Sequence, residues 1–138
     1  MIQKILHLVK LQHSLFAMPF TLAAMLMAAG GLPDPITIFW IVIAFTGARS
    51  FGMAANRLID REIDAKNPRT SHRLMASGQI KPIQLAPYML LFAGMLIVSA
   101  YQLGEWPIKL LSLCFFIMIL YPYTKRFTVL AHTVLGVV

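Results

Sequence analysis

Asn56, Asp60 and Asp64 recur at four-residue spacing near the end of a long apolar run. A helix advances about 100° per residue, so the three fall within a narrow arc of one face. An amide oxygen and two carboxylates one turn apart are hard oxygen donors. Mg²⁺ typically takes one or two carboxylates together with waters and the oxygens of a substrate phosphate, and the trio suits a metal-diphosphate site. Arg49, seven residues before Asn56, joins the same face, whereas Glu62 points to the far side and reads as a solvated or ion-pairing residue.

The next segment, 66–73, holds Lys66, Arg69 and Arg73 around Pro68, which predicts a helix stop at Asn67. A diphosphate beside a bound cation needs such groups, because guanidinium holds phosphate oxygens through paired hydrogen bonds while the leaving group gains charge. Arg69 and Arg73 are the candidates for that role. Further along, Tyr121 and Lys125 are four residues apart, so a phenol and a cation share a helical face and can reach the same pocket. Each feature alone also fits a plainer role: surface ion pairs among Arg57, Asp60, Arg61 and Asp64, or a basic loop touching anionic lipid heads. His13, His72 and His132 lack metal-ligand spacing and read as packing or interface residues.

The elements that must position these groups are read from hydropathy. Of 138 residues, 59% are hydrophobic and 12% charged, whereas soluble domains carry about 25% charged residues. Crossing about 30 Å of hydrocarbon takes about 20 apolar residues. Candidate spans lie near 14–31, 36–58, 83–103 and 107–122, with a fifth starting near 127. Gly30-Gly31 with Pro33 and Pro35 breaks the chain between the first two, and the segment 104–107 breaks it between the third and fourth. Pro19 within the first span is read as at most a kink. The expectation is an all-α, polytopic transmembrane bundle.

If the spans alternate, Lys4, Lys10, Arg57, Arg61, Lys66, Arg69, Arg73, Lys81, Lys125 and Arg126 share one side, leaving Asp34, Glu105 and Lys109 on the other. Cytoplasmic loops collect Lys and Arg, which puts the N-terminus and the 59–82 loop in the cytoplasm. Arg49 alone stays inside a span, and a charge at membrane depth costs about 2.5–3.5 kcal/mol by insertion scales, which marks it as a functional candidate. The net charge of +7 does not point to nucleic acid, because its basic residues sit between apolar spans. Cys114 is the single cysteine, so no disulfide forms within the chain. The N-terminus lacks a small-residue cleavage site, and the chain stops within an apolar run, so a retained first span and a C-terminal truncation are expected.

Asn56-Arg57-Leu58-Ile59-Asp60-Arg61-Glu62-Ile63-Asp64, followed by Asn67-Pro68-Arg69-Thr70-Ser71-His72-Arg73 and Gly78, resembles the UbiA superfamily of intramembrane prenyltransferases. The family pattern is Asn-Asp-x-x-Asp-x-x-x-Asp, then Asn-x-Arg-Thr-x-x-Arg-Pro-Leu-x-x-Gly. The segments 10–20, 48–50 and 121–126 look like its 4-hydroxybenzoate polyprenyltransferase branch. Two positions depart: Arg57 stands where the motif has Asp, and Leu74-Met75 replaces Pro-Leu.

The resemblance implies a single bundle of about nine membrane helices, of which 1–138 would be the N-terminal part with about four and a half. It implies polyprenyl diphosphate and an aromatic acid as substrates, Mg²⁺ as cofactor, membrane lipid as surroundings and a bacterial cytoplasmic membrane as location. By the same likeness Asn56, Asp60 and Asp64 would bind Mg²⁺ and diphosphate. Arg69, Arg73 and Lys125 would hold phosphates, Arg49 would pair with the acceptor carboxylate, and the product would serve ubiquinone or menaquinone synthesis. Rival acceptors are dihydroxynaphthoate, haem, a chlorophyll precursor and homogentisate. A rival of another class is a transporter fragment or a helical subunit without catalysis.

Overall fold

The computed structural model describes the backbone of residues 1–127, and their side chains apart from those of 11–13 and 125–127. The regular elements of the described residues are all helices: α1 (Ile2–Leu8), α2 (Leu11–Ala29), α3 (Pro35–Ile59), α4 (Arg61–Lys66), α5 (Pro82–Leu103) and α6 (Glu105–Phe127). Three helices are long and apolar enough to cross a membrane, namely α3, α5 and Glu105–Thr124 of α6, while Ser14–Ala29 of α2 forms a shorter apolar stretch. The expected fifth span and His132 lie outside the described residues, as does the side chain of His13.

Local chemistry explains most boundaries. Gly30 is left-handed (φ 65°), and Gly31 N–H donates to the Leu26 carbonyl at 3.2 Å, so a Schellman turn ends α2. Asp34 then caps α3, accepting from Thr37 N–H at 3.1 Å and from the Thr37 hydroxyl, with Pro35 in the first turn where no intrahelical N–H is missed. Those Thr37 hydrogen bonds, the hydroxyl's foremost, hold the Asp34 carboxyl below the ordinary carboxylate range. Pro82 begins α5 in the same way.

The fourth span is longer than the expected 107–122, because Gly104 alone separates α5 from α6. Pro107 falls in the first turn of α6, where its missing N–H costs nothing, so the helix starts at Glu105 rather than after the proline. Pro19 likewise sits inside α2 without ending it.

The bundle is built on α3, which packs most extensively on α5 and also touches α1, α2, α4 and α6. Close approach of α3 to α5 is possible because residue 47 is glycine: a Cβ there would meet the Phe92 carbonyl oxygen at 2.9 Å and Leu96 N at 3.0 Å. Phe51 joins α3 to α6 through an edge-to-face contact with Phe115, centroids 5.0 Å apart. Hydroxyls inside spans bond to their own helix, Ser99 to the Met95 carbonyl at 2.6 Å and Thr46 to that of Val42 at 2.8 Å.

A cluster of buried apolar side chains lies toward the loop end of this frame. Ile5, Leu8 and Val9 of the α1 region, Phe51, Ala54 and Ala55 of α3, Met75 and Ile80 of the loop, and Leu85 and Phe92 of α5 form one core. The N-terminal helix is therefore docked on the loop end of the bundle by apolar residues at i, i+3 and i+4, Ile5, Leu8 and Val9. Elsewhere large apolar side chains such as Phe16, Phe20 and Met27 of α2 are more than three-quarters exposed, as lipid-facing or helix-facing surfaces are.

Candidate functional site

α3 gives way to α4 at Asp60, whose backbone (φ −86°, ψ −1°) caps one helix and opens the other. The turn spacing survives the junction: Asp60 N–H donates to the Asn56 carbonyl at 3.0 Å and Asp64 N–H to the Asp60 carbonyl at 2.8 Å. Asn56, Asp60 and Asp64 thus stay on successive turns, as their spacing predicts, although the helix carrying them is interrupted. Asp60 and Asp64 are both buried, at 2% and 8% exposure, and Glu62 is exposed and pairs with Arg61 at 3.3 Å.

The loop after α4 is folded back on it. Asn67 caps α4, its side chain accepts from Arg69 N–H at 3.0 Å, and its carbonyl accepts from Thr70 and Ser71 N–H at 2.9 and 2.8 Å. The buried Thr70 hydroxyl donates to the Asp64 carbonyl at 3.0 Å. These bonds turn the chain so that Arg73 Nη1 reaches both Asp64 carboxylate oxygens, at 2.9 and 2.8 Å. Arg57, buried where the family pattern has an acid, lies within electrostatic range of Arg73, Asp64 and Asp60.

Five of the site candidates line two cavities, and Asp60 and Asp64 line neither of them. One, of about 400 Å³, opens between α3 and α6 and has walls that are mainly apolar, with Arg49, Asn56 and Tyr121 as its polar points. The other, of about 220 Å³, lies between α1 and the folded loop and receives Arg57, Arg69 and Arg73 together with His7, Lys10 and His72. Asn56 and Arg57 are chain neighbours, about 100° apart on the helix, and so line different cavities. Arg49 and Asn56 line one cavity, as their seven-residue spacing predicts, and Tyr121 joins them there from α6, not beside Arg69 and Arg73. Arg73 meets Asp64, and the two sets do not share one cavity. The Lys125 side chain lies outside the described residues.

Sequence reasoning does not single out His7 or Lys10 as site residues and gives His72 a packing or interface role; all three line the second cavity. Local spacing carries no signal for the first two, since His7 lies on α1 and Lys10 beyond its end, at the left-handed turn before α2. For a metal, the donor set is an amide and two carboxylates, and among the described residues no group of three or more His, Cys, Asp or Glu converges. Asn56 lines the α3–α6 cavity and both Asp64 oxygens accept from Arg73, so these three side chains form no closed cage. The donor types are those that Mg²⁺ takes together with waters and phosphate oxygens.

A model of the UbiA prenyltransferase family matches residues 17–138. The chain is 36% identical over 120 residues to a 4-hydroxybenzoate octaprenyltransferase of Shewanella sediminis, covering 85% of this chain and 41% of the relative. Proteins of the same name from Haemophilus ducreyi and Actinobacillus pleuropneumoniae serotype 5b are each 32% identical, over 84% of this chain and 42% and 40% of their own lengths. The chain therefore spans about two-fifths of the curated relatives it matches. No solved structure matches it.

Proposed function

The chain belongs to the UbiA prenyltransferase family, and from that premise we propose that its protein transfers a polyprenyl group from polyprenyl diphosphate to an aromatic acid, 4-hydroxybenzoate, in quinone biosynthesis. Family membership and three apolar helices make it an integral membrane protein. The acceptor rests on the name shared by its relatives. The observation that carries the reading is the cavity in which Arg49, Asn56 and Tyr121 converge among apolar walls.

In this reading Arg49 pairs with the acceptor carboxylate through charge-assisted hydrogen bonds, and the Tyr121 phenol borders the ring. The apolar walls keep water from the allylic cation that develops as diphosphate leaves, and so favour attack by the electron-rich ring. Arg69 and Arg73 hold diphosphate oxygens, joined by Lys125 from α6, and Asn56, Asp60 and Asp64 are the residues that would hold Mg²⁺. Bound there, the metal would neutralise charge on the departing diphosphate. Support for a metal comes from the general divalent-metal dependence of the family and from the donor chemistry of the trio. The N-terminus and 59–82 loop face the cytoplasm, so both head groups enter from that side while the polyprenyl tail lies in lipid. As a fragment of that enzyme, 1–138 would be inactive by itself.

The test is turnover of the full-length protein carrying Asp60→Asn or Asp64→Asn, which keeps side-chain size and removes charge. Each variant inserts in the membrane and loses prenyl transfer. Near-normal turnover in both would refute the assignment of these carboxylates.

A further inference from the structure

The cavity between α1 and the folded loop carries more positive charge than its surroundings balance. Lys10, Arg57, Arg69 and Arg73 line it, with His7 and His72 adding two imidazoles. Asp64 answers Arg73, and among the described residues Lys10 and Arg69 enter no ion pair. Cations crowded into a small cavity repel one another unless an anion joins them.

Lys10 is held there at a cost. Its backbone is left-handed (φ 49°, ψ 54°), the sole residue other than glycine with positive φ among the described residues. A side chain with a Cβ adopts that conformation when its surroundings force it, and such residues cluster at ligand clamps. Ile5, Leu8 and Val9 are at most 5% exposed and pin α1 onto the core, and the chain turns at Lys10 to enter α2. Lys10 and His7 line the cavity together with Arg69 and His72.

We propose that this cavity is a phosphate-binding site whose outer wall is the N-terminal helix, with Lys10 and His7 as donors additional to those of the loop. A tetrahedral anion offers three or four oxygens directed away from one another, so a fork from Arg69 and an ammonium from Lys10 can each engage separate oxygens. The phosphate is either that of a free or prenyl-linked diphosphate or that of a phospholipid head group, since basic pockets at the cytoplasmic face accept both. The proposal extends, and to that extent rests on, the reading of Arg69 and Arg73 as phosphate donors.

The test uses the full chain in phosphatidylcholine nanodiscs with a chelator present, and calorimetric titration with inorganic diphosphate. Lys10→Asn removes the charge while asparagine tolerates the left-handed backbone, and it weakens binding about tenfold. Lys4→Gln makes the same charge change on α1 outside the cavity and alters affinity less than about twofold. A parallel arm uses nanodiscs containing phosphatidylglycerol and counts, by native mass spectrometry, the lipid retained on the released protein. If the natural source is a head group, the wild type retains that lipid, Lys10→Asn does not, and added diphosphate displaces it. If it is a free or prenyl-linked diphosphate, that lipid neither is retained nor changes the diphosphate affinity. Diphosphate binding and lipid retention both indifferent to Lys10→Asn, or equally weakened by Lys4→Gln, would overturn the site. Neither arm contains metal or acceptor, so failure here is distinct from failure of the carboxylate variants in prenyl transfer.

Discussion

Arg73 shares a single nitrogen, Nη1, between the two carboxylate oxygens of Asp64, at 2.9 and 2.8 Å, across nine residues of sequence. The pair is largely withdrawn from solvent, with side-chain exposures of 34% and 11%, so it is screened less than a surface ion pair. It fastens the basic loop to the helix that carries the acidic trio.

A double-mutant cycle measures that fastening. Arg73→Gln should cost about 1.5–3 kcal/mol of unfolding free energy, and adding Asp64→Asn to it should cost much less than Asp64→Asn alone, because both remove one interaction. Chemical unfolding in detergent reads the four proteins. A coupling energy below about 0.5 kcal/mol would mean that the contact does not fasten the loop.

Arg49 lies two helical turns from Asn56, about 10 Å at 1.5 Å rise per residue, which is beyond a diphosphate held at Asp60 and Asp64. Arg49→Ala in the full-length enzyme should therefore raise the KM for 4-hydroxybenzoate about tenfold or more and leave that for polyprenyl diphosphate nearly unchanged. Arg49→Lys should recover part of the loss, since an ammonium lacks the paired donors of guanidinium. The neutral amide of the acceptor serves as the comparison. An equal defect with acid and amide would remove Arg49 from the acceptor site.

Gly47→Ala tests the α3–α5 contact. The new Cβ would meet backbone atoms of Phe92 and Leu96 at 2.9 and 3.0 Å, which cannot yield as a side-chain tip can. The helices must separate, at a cost of about 1–3 kcal/mol. Gly94→Ala, whose Cβ meets nothing within 4 Å, should be neutral or stabilising, because alanine is the better helix former. Thermal unfolding of both variants in the same detergent decides, and equal stability of the two would mean that the helices do not pack so closely.

Orientation is open to thiol labelling. With native Cys114 changed to Ser, Ser71→Cys should react only from the cytoplasmic side and Asp34→Cys only from the opposite side, in intact cells against inverted vesicles. Labelling of position 71 from outside would reverse the proposed route of substrate entry.

What the sequence determined was what depends on local periodicity. The apolar runs marked α3 and α5 to within one residue at either end, and four-residue spacing put Asn56, Asp60 and Asp64 on successive turns even though the helix breaks at Asp60. Hydrogen bonding along a helix reaches four residues, so residues that far apart announce their relationship in the chain. Tertiary packing decided the rest. It sent Asn56 to one cavity and its neighbour Arg57 to another, brought Arg73 back to Asp64, and put Lys10 and Arg69 on the lining of one cavity. Those meetings follow from which surfaces fit: α1 docks through Ile5, Leu8 and Val9, and α5 approaches α3 where Gly47 leaves room. Such a fit joins residues distant in the chain, and no periodicity records it.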